Sequence, residues 1–363
     1  MGQKVVASKG MSACSHGGVY SVNPRLVKVD CSSSINPLGT PLKAIAAIQK
    51  GAKSLAPMYP DPECRELKKS LSRYLRIGDP EWISVGNGAM EIIYWFAQAF
   101  AKGSRVVIPA PTFCEYELAS HKSGAEVTFV PLHNFELDAD EVIEKARGAG
   151  AVFLCNPNNP TGMLSTKGIR KIIENIDSST KILLDECFIE LVDEPDTNSM
   201  IGMIEKFDNL VILRSLTKSF GLAGLRVGYS ICNPALAEKL SANRIPWNVN
   251  GLAQAAGVAA LAADRMHLPR ARAIIKKERK FLHDSIGRLK SFKPLRSDAN
   301  YFLIHLQGKN STQFRDALLK KTGVLVRDCS TFTGMEGSQY VRVAVKSHME
   351  NLHLLKALEE FDG

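Results

Sequence analysis

The chain has 363 residues, 45% apolar and 23% charged, and carries a formal net charge of +9. Such proportions suit one large α/β domain with a smaller lobe, and no stretch approaches the roughly 20 uninterrupted apolar residues needed to cross a bilayer. The basic residues are dispersed, densest from Arg270 to Arg279 and at Lys320–Lys321, so the charge reads as a solvated surface; it is consistent with an anionic substrate and argues against a nucleic-acid partner.

The N-terminal MGQKVVASKGMSACSHGG lacks the apolar core of a signal peptide, and a cytoplasmic protein is expected. The first forty residues are rich in Gly, Ser, Asn and Pro and read as an irregular arm. Helix-like sequence follows over 64–76 and 88–101. Apolar strands are expected at Arg105–Pro109, Glu126–Val130, Ala151–Leu154, Lys181–Leu184 and Asn209–Leu213. This alternation predicts an α/β domain with a mostly parallel sheet covered by helices on both faces. Beyond about residue 250 the pattern turns to long basic helices and two short strands, Tyr301–His305 and Tyr340–Val345, a second α+β lobe that the arm is expected to join. The expected division is an arm at 1–45, a large domain at 46–250 and a small domain at 251–363. The eight cysteines are scattered with no CxxC pair, so neither a zinc site nor a disulfide framework is expected, and most read as small buried hydrophobes.

Ligands of open parallel sheets sit beyond the carboxyl ends of the strands. After Ala151–Leu154 comes the turn-rich Asn156-Pro-Asn-Asn159-Pro-Thr-Gly162; after Lys181–Leu184 comes Asp185; after Asn209–Leu213 comes Arg214-Ser215-Leu-Thr217-Lys218. An amide, a carboxylate and an amine thus converge on one sheet edge. The trio suits an aldehyde cofactor built on a pyridine ring, pyridoxal 5′-phosphate. A lysine can form an imine with the aldehyde, a carboxylate can keep the ring nitrogen protonated, and an amide can bond the ring hydroxyl oxygen. Taken singly, a lysine after a strand is usually solvated and an aspartate there usually caps a helix. Their order and joint placement make the cofactor reading the stronger one.

The cofactor phosphate needs its own cradle. Gly86-Asn-Gly88-Ala89-Met90 is a glycine turn running into an apolar helix, whose free backbone N–H groups suit a phosphate. Arg226, eight residues after Lys218, offers a bidentate partner. Phe113, in Pro111-Thr-Phe113, can stack on the ring, although an aromatic residue there is as often plain core.

Asn159-Pro-Thr-Gly162, Asp185-Glu186, Ser215-x-x-Lys218 and Arg226-x-Gly228 stand in the order and spacing of the fold-type I class I and II aminotransferases, and the chain resembles that family over essentially its whole length. The resemblance implies a pyridoxal-phosphate enzyme with Lys218 and Asp185 as catalytic residues. Its cofactor contacts would be Gly88, Ala89, Met90, Phe113, Asn159, Ser215, Thr217 and Arg226. It further implies a homodimer in which Tyr59 reaches the neighbouring subunit's phosphate, and an Arg342 that binds the substrate α-carboxylate. Two departures stand out. Met90 occupies a place where the family often has Thr or Asp, so the phosphate relies more on backbone. Phe188 stands where many members have a tyrosine that donates to the ring oxygen, which implies a higher imine pKa.

Within the family the chain is most similar to the threonine-phosphate decarboxylase branch, close to the histidinol-phosphate aminotransferases. The similarity rests on His16-Gly17-Gly18, Ser34-Ile-Asn36-Pro-Leu-Gly39, Leu213-Arg-Ser-Leu-Thr-Lys218, Ile245-Pro-Trp247-Asn-Val-Asn250 and Asp185-Glu-x-Phe188. It implies that His16 (with Gly17) and Arg327 hold a substrate phosphate, that Asn36 contacts the substrate, and that O-phospho-L-threonine is decarboxylated to (R)-1-amino-2-propanol phosphate for the cobalamin nucleotide loop. On sequence alone His16 is otherwise a solvated residue near a chain end, and Arg327 a surface ion pair. Transamination of a phosphorylated amino alcohol such as histidinol phosphate, and decarboxylation of O-phospho-L-serine, stay open. A non-enzymatic effector-binding module is disfavoured, because Lys218, Asp185 and Arg226 are all retained and no helix-turn-helix domain fits beside them.

Overall fold

Runs such as Ala151-Val-Phe-Leu154 and Leu210-Val-Ile-Leu213 have no polar face, the signature of strands covered on both sides. A computed structural model of the protein, describing residues 16–262 and 265–363, builds a seven-stranded sheet from them. Its spatial order is Ile83–Gly86, Gly228–Ile231, Leu210–Ser215, Lys181–Asp185, Ala151–Cys155, Arg105–Ala110 and Glu126–Pro131. Gly228–Ile231 runs antiparallel to both neighbours, and the remaining pairs are parallel. Side chains alternate across the sheet. Ile182 and Leu184 pack with Ile169, Ile172 and Ile173 of the helix Thr166–Asn175, whereas Leu183 packs with Phe153, Val211 and Leu213 on the opposite face. Truncating a fully buried side chain such as Leu183 to alanine is expected to cost about 2–5 kcal/mol.

The five anticipated strands are present, extended by up to two residues at their C-terminal ends. The two strands at one side, Ile83–Gly86 and Gly228–Ile231, were not anticipated, because four residues containing Gly and Ser show no clear period. The helix expected over 64–76 is Arg65–Leu75. The one expected over 88–101 is Ala89–Phe96, which widens into a π turn at Ala97–Ala101. A helix at Leu42–Leu55, absent from the sequence reading, packs on Gly251–Leu261; Gly51 lets the two approach, since a Cβ there would lie 3.1 Å from Leu252.

A second sheet is antiparallel and four-stranded, in the order Arg327–Asp328, Tyr340–Ala344, Tyr301–Leu306, Phe292–Pro294. Phe302, Ile304, Val341 and Val343 from it share a core with Leu282, Phe314 and Leu354 of the helices His267–Ile286, Ser311–Thr322 and His348–Glu359. The N-terminal segment is tied to this lobe, for Val29–Asp30 pairs in parallel with Val324–Leu325. Cys31, Cys64, Cys155, Cys187, Cys232 and Cys329 are free thiols, while Cys114 is disulfide-bonded. Among the described residues, no helix is long and apolar enough to cross a membrane.

Candidate active site

Parallel strands deliver their carboxyl ends to one edge. Cys155 lies in register with Asp185, and Asp185 with Leu213, so the loop after Cys155, the Asp185 carboxylate and the turn carrying Lys218 leave from adjacent positions. A cavity of about 410 Å³ opens there, between this edge, the N-terminal arm and the small lobe. Lys218 lines it from the one-turn helix Leu216–Ser219, which Ser215 caps by accepting the Thr217 N–H at 3.2 Å. Burial pushes the Lys218 amine down to about 8, with Arg342 acting in the same direction, so roughly a tenth of it is free base at pH 7, far more than for an ordinary lysine. Its Nζ stands 5.8 Å above the Phe188 ring.

Asp185 is buried. Its Oδ1 accepts the Cys187 N–H at 2.8 Å and its Oδ2 accepts the Tyr116 hydroxyl at 2.7 Å. Burial raises its pKa, opposed by the bonds from Cys187 and Tyr116. A cationic ring nitrogen is the natural complement of a carboxylate so placed. Asn159, from the neighbouring loop, accepts at Oδ1 from the Arg342 guanidinium and keeps its amide N–H groups for another acceptor.

At the other end of the cavity, the helix Ala89–Phe96 begins beside Arg226. A Cβ at Gly88, whose φ is +81°, would lie 2.4 Å from Arg226 Nη2, and one at Gly228 would lie 2.3 Å from the Ala89 nitrogen. Gly88 thus lets the Arg226 guanidinium lie against the helix N-terminus, and Gly228 lets its own strand pass close to that helix start. Two groups of positive character face one space, which calls for an anion. Ala89, Met90, Ser215 and Thr217 line it.

The third wall is cationic. Arg327 and Arg342 stand directly opposite one another in adjacent antiparallel strands, both buried. Arg327 donates to Thr331 at 2.9 Å and lies over the Phe332 ring, and burial lowers its pKa to about 10. Arg342 donates to the Ser32 carbonyl at 3.0 Å, while its Nε, like the hydroxyl of Ser34, is buried without a hydrogen-bond partner among the described residues. Opposed like charges beside a donor of Arg342 left open suit an anionic ligand. His16 and Gly17 line the same cavity from the arm: a Cβ on Gly17 would lie 2.7 Å from the Ser32 carbonyl, and the Gly18 N–H donates to Ser32 Oγ at 2.7 Å.

One residue assigned to this cavity stands behind it. Asn36 does not line the cavity: its N–H donates to the Lys218 carbonyl at 3.0 Å and its Nδ2 to the Ser219 carbonyl at 2.7 Å, so it braces the lysine turn from behind. Tyr59, expected to reach a neighbouring subunit's phosphate, lies at the surface outside this chain's own cavity, 82% exposed, with its ring 4.9 Å from that of Trp247. Conversely, Tyr116, Glu115 and Tyr301 were not anticipated. Tyr116 follows Phe113 by three residues, a spacing that hinted at a shared face; nothing in sequence marked Glu115, which meets His16 at 2.7 Å, or Tyr301, whose ring lies 5.1 Å from the Arg342 guanidinium.

Residues 27–360 match the model of the family "Aminotransferase class I and II". The chain belongs to that family. Its members depend on pyridoxal 5′-phosphate, and the donor set above fits that cofactor: an amine, a buried carboxylate and a glycine-lined anion cradle. Within the family the chain is 34% identical over 334 residues to a histidinol-phosphate aminotransferase of Symbiobacterium thermophilum, an alignment covering 91% of this chain and 90% of that protein. The histidinol-phosphate aminotransferase structure from Clostridium acetobutylicum superposes with a TM-score of 0.85 at 33% identity, covering 92% of this chain and 99% of the other. L-threonine-O-3-phosphate decarboxylase from Porphyromonas gingivalis superposes with a TM-score of 0.80 at 27% identity, covering 91% and 98%. The chain is therefore a fold-type I enzyme of the class I and II aminotransferase family, with relatives of both activities.

Proposed function

We propose that the protein decarboxylates O-phospho-L-threonine to carbon dioxide and (R)-1-amino-2-propanol phosphate, a step toward the cobalamin nucleotide loop. The observation that carries this reading is the facing pair Arg327 and Arg342 in the cavity that holds Lys218. Two cationic groups suit a substrate with two anionic ends, a carboxylate and a phosphate. In this reading Arg342 takes the carboxylate, and Arg327 with His16 takes the phosphate. Arg226, the N–H groups at the start of Ala89–Phe96, Ser215 and Thr217 hold the cofactor phosphate, Phe113 covers the ring, and Asp185 bonds its nitrogen. The bound cofactor supplies a sink for the electron pair left on Cα when the carboxylate departs. Lys218, the amine lining the cavity, has a pKa that lets it give a proton to Cα near neutral pH. Gripping both ends of a short substrate fixes rotation about its Cα bonds, and that rotation selects the bond that breaks.

A homodimer belongs to the same proposal. Met58, Tyr59, Ile245 and Trp247 are exposed apolar side chains, an unusual concentration for a solvated surface. A monomeric mass in light scattering would count against it.

The deciding experiment is product analysis by NMR after mixing the holoenzyme with O-phospho-L-threonine, beside a second mixture of histidinol phosphate and 2-oxoglutarate. Carbon dioxide and aminopropanol phosphate from the first support the proposal. Glutamate from the second, with no carbon dioxide from the first, would assign the protein to transamination.

A further inference from the structure

His16 reaches the cavity from the arm, yet the residue that fixes its ring comes from the large sheet. Glu115 opens the helix Glu115–Lys122, and its Oε1 lies 2.7 Å from His16 Nε2. Its other oxygen accepts the Tyr94 hydroxyl at 2.8 Å. Glu115 is buried and keeps both bonds, and the His16 contact is the first cause holding its carboxyl below the usual range. His16 itself is half-exposed, its ring 6.0 Å from that of Phe113. The imidazole has two nitrogens, and Nε2 is committed to Glu115, which leaves Nδ1 as the atom that can meet a ligand.

We propose that Glu115 is a positioning residue for recognition of the substrate phosphate: with Tyr94 behind it, it accepts the Nε2–H of His16, and the imidazolium's other N–H, at Nδ1, is left to donate to the phosphate. The inference rests on the phosphate assignment above, but not on decarboxylation. Its consequence is selectivity. Without Glu115 the imidazole turns freely on an arm anchored by Gly17 and Gly18, and the phosphate loses an oriented donor. Ligands without a phosphate lose nothing.

The test uses two amines that cannot be decarboxylated, 1-amino-2-propanol phosphate and 1-amino-2-propanol, titrated calorimetrically into the holoenzyme. Wild type is expected to prefer the phosphorylated amine. Glu115→Ala should shrink that preference by about tenfold or more, the scale of one charge-assisted hydrogen bond. Glu115→Gln, which keeps an acceptor oxygen, should fall between, and Tyr94→Phe should show a smaller loss. Affinity for the unphosphorylated amine should stay as in wild type for every variant. Equal losses on both amines, or an undiminished or enhanced preference in Glu115→Ala, would overturn the proposal. So would a wild type that ignores the phosphate. Should Glu115→Ala fold poorly, as its melting temperature would reveal, Glu115→Gln and Tyr94→Phe carry the same comparison. If the preference shrinks as expected while O-phospho-L-threonine yields no carbon dioxide, the decarboxylase reading fails and Glu115 keeps its role.

Discussion

The Tyr116 hydroxyl donates to Oδ2 of Asp185 at 2.7 Å, and both residues are buried on the same side of the sheet edge. The bond works against the burial that raises the Asp185 pKa, and so helps keep the carboxylate ionised for a ring nitrogen. Tyr116→Phe should raise that pKa further, and the acid limb of kcat should move to higher pH. It should also cost about 1–3 kcal/mol of stability, because a buried acceptor loses a donor. Asp185→Asn is the stronger test: a loss of several orders of magnitude is expected, and one under about tenfold, about 1.4 kcal/mol, would remove Asp185 from the chemistry.

Capture of the cofactor needs the Lys218 amine without its proton. With a pKa of about 8, the rate at which apoprotein takes up pyridoxal phosphate should rise with pH and level off above that value. Arg342→Ala removes a cation that depresses this pKa and should move the midpoint upward. The folded amine holds its proton less tightly than in the unfolded chain, so its contribution to apoprotein stability rises as pH climbs from about 8 toward the ordinary lysine value. Borohydride reduction of the holoenzyme should label Lys218, as peptide mass spectrometry would read, and labelling of another lysine would overturn the assignment.

Gly88→Ala places a methyl group where the Arg226 guanidinium lies, at a φ of +81° that alanine disfavours. The cofactor should then bind more weakly by about tenfold or more, roughly one charge-assisted hydrogen bond, while far-ultraviolet circular dichroism stays close to wild type. An unchanged dissociation constant would mean that the cradle is not where the phosphate sits.

Loss of Arg327 should separate substrates by their phosphate. Arg327→Ala is expected to lower kcat/KM for O-phospho-L-threonine by about ten- to a hundredfold, the range of a charged hydrogen bond, and to leave L-threonine nearly untouched. A fall in kcat as well as affinity is expected, because the same grip orients the carboxylate. Equal losses on the two substrates would dissolve the phosphate assignment.

Lys218, Asp185 and Asn159 were legible from sequence because their positions follow from backbone geometry alone. Parallel strands buried on both faces appear as uninterrupted apolar runs, and the residue just past each run must emerge at the same edge. Arg226 and Gly88 were legible as separate motifs, but their contact depends on a positive φ at Gly88 and on the antiparallel strand Gly228–Ile231, which is too short to announce itself. Tertiary structure alone decided the rest. Asn36 carries a motif shared with substrate-binding arms, yet folding of residues 36–40 beneath Gly221 turns its amide to the Lys218–Ser219 backbone. Glu115 and Tyr116 sit on a helix after a different strand, and meet His16 and Asp185 across 99 and 69 residues of chain. Local periodicity carries no information over such distances; only the packing of arm, sheet edge and small lobe around one cavity brings those charges within bonding range.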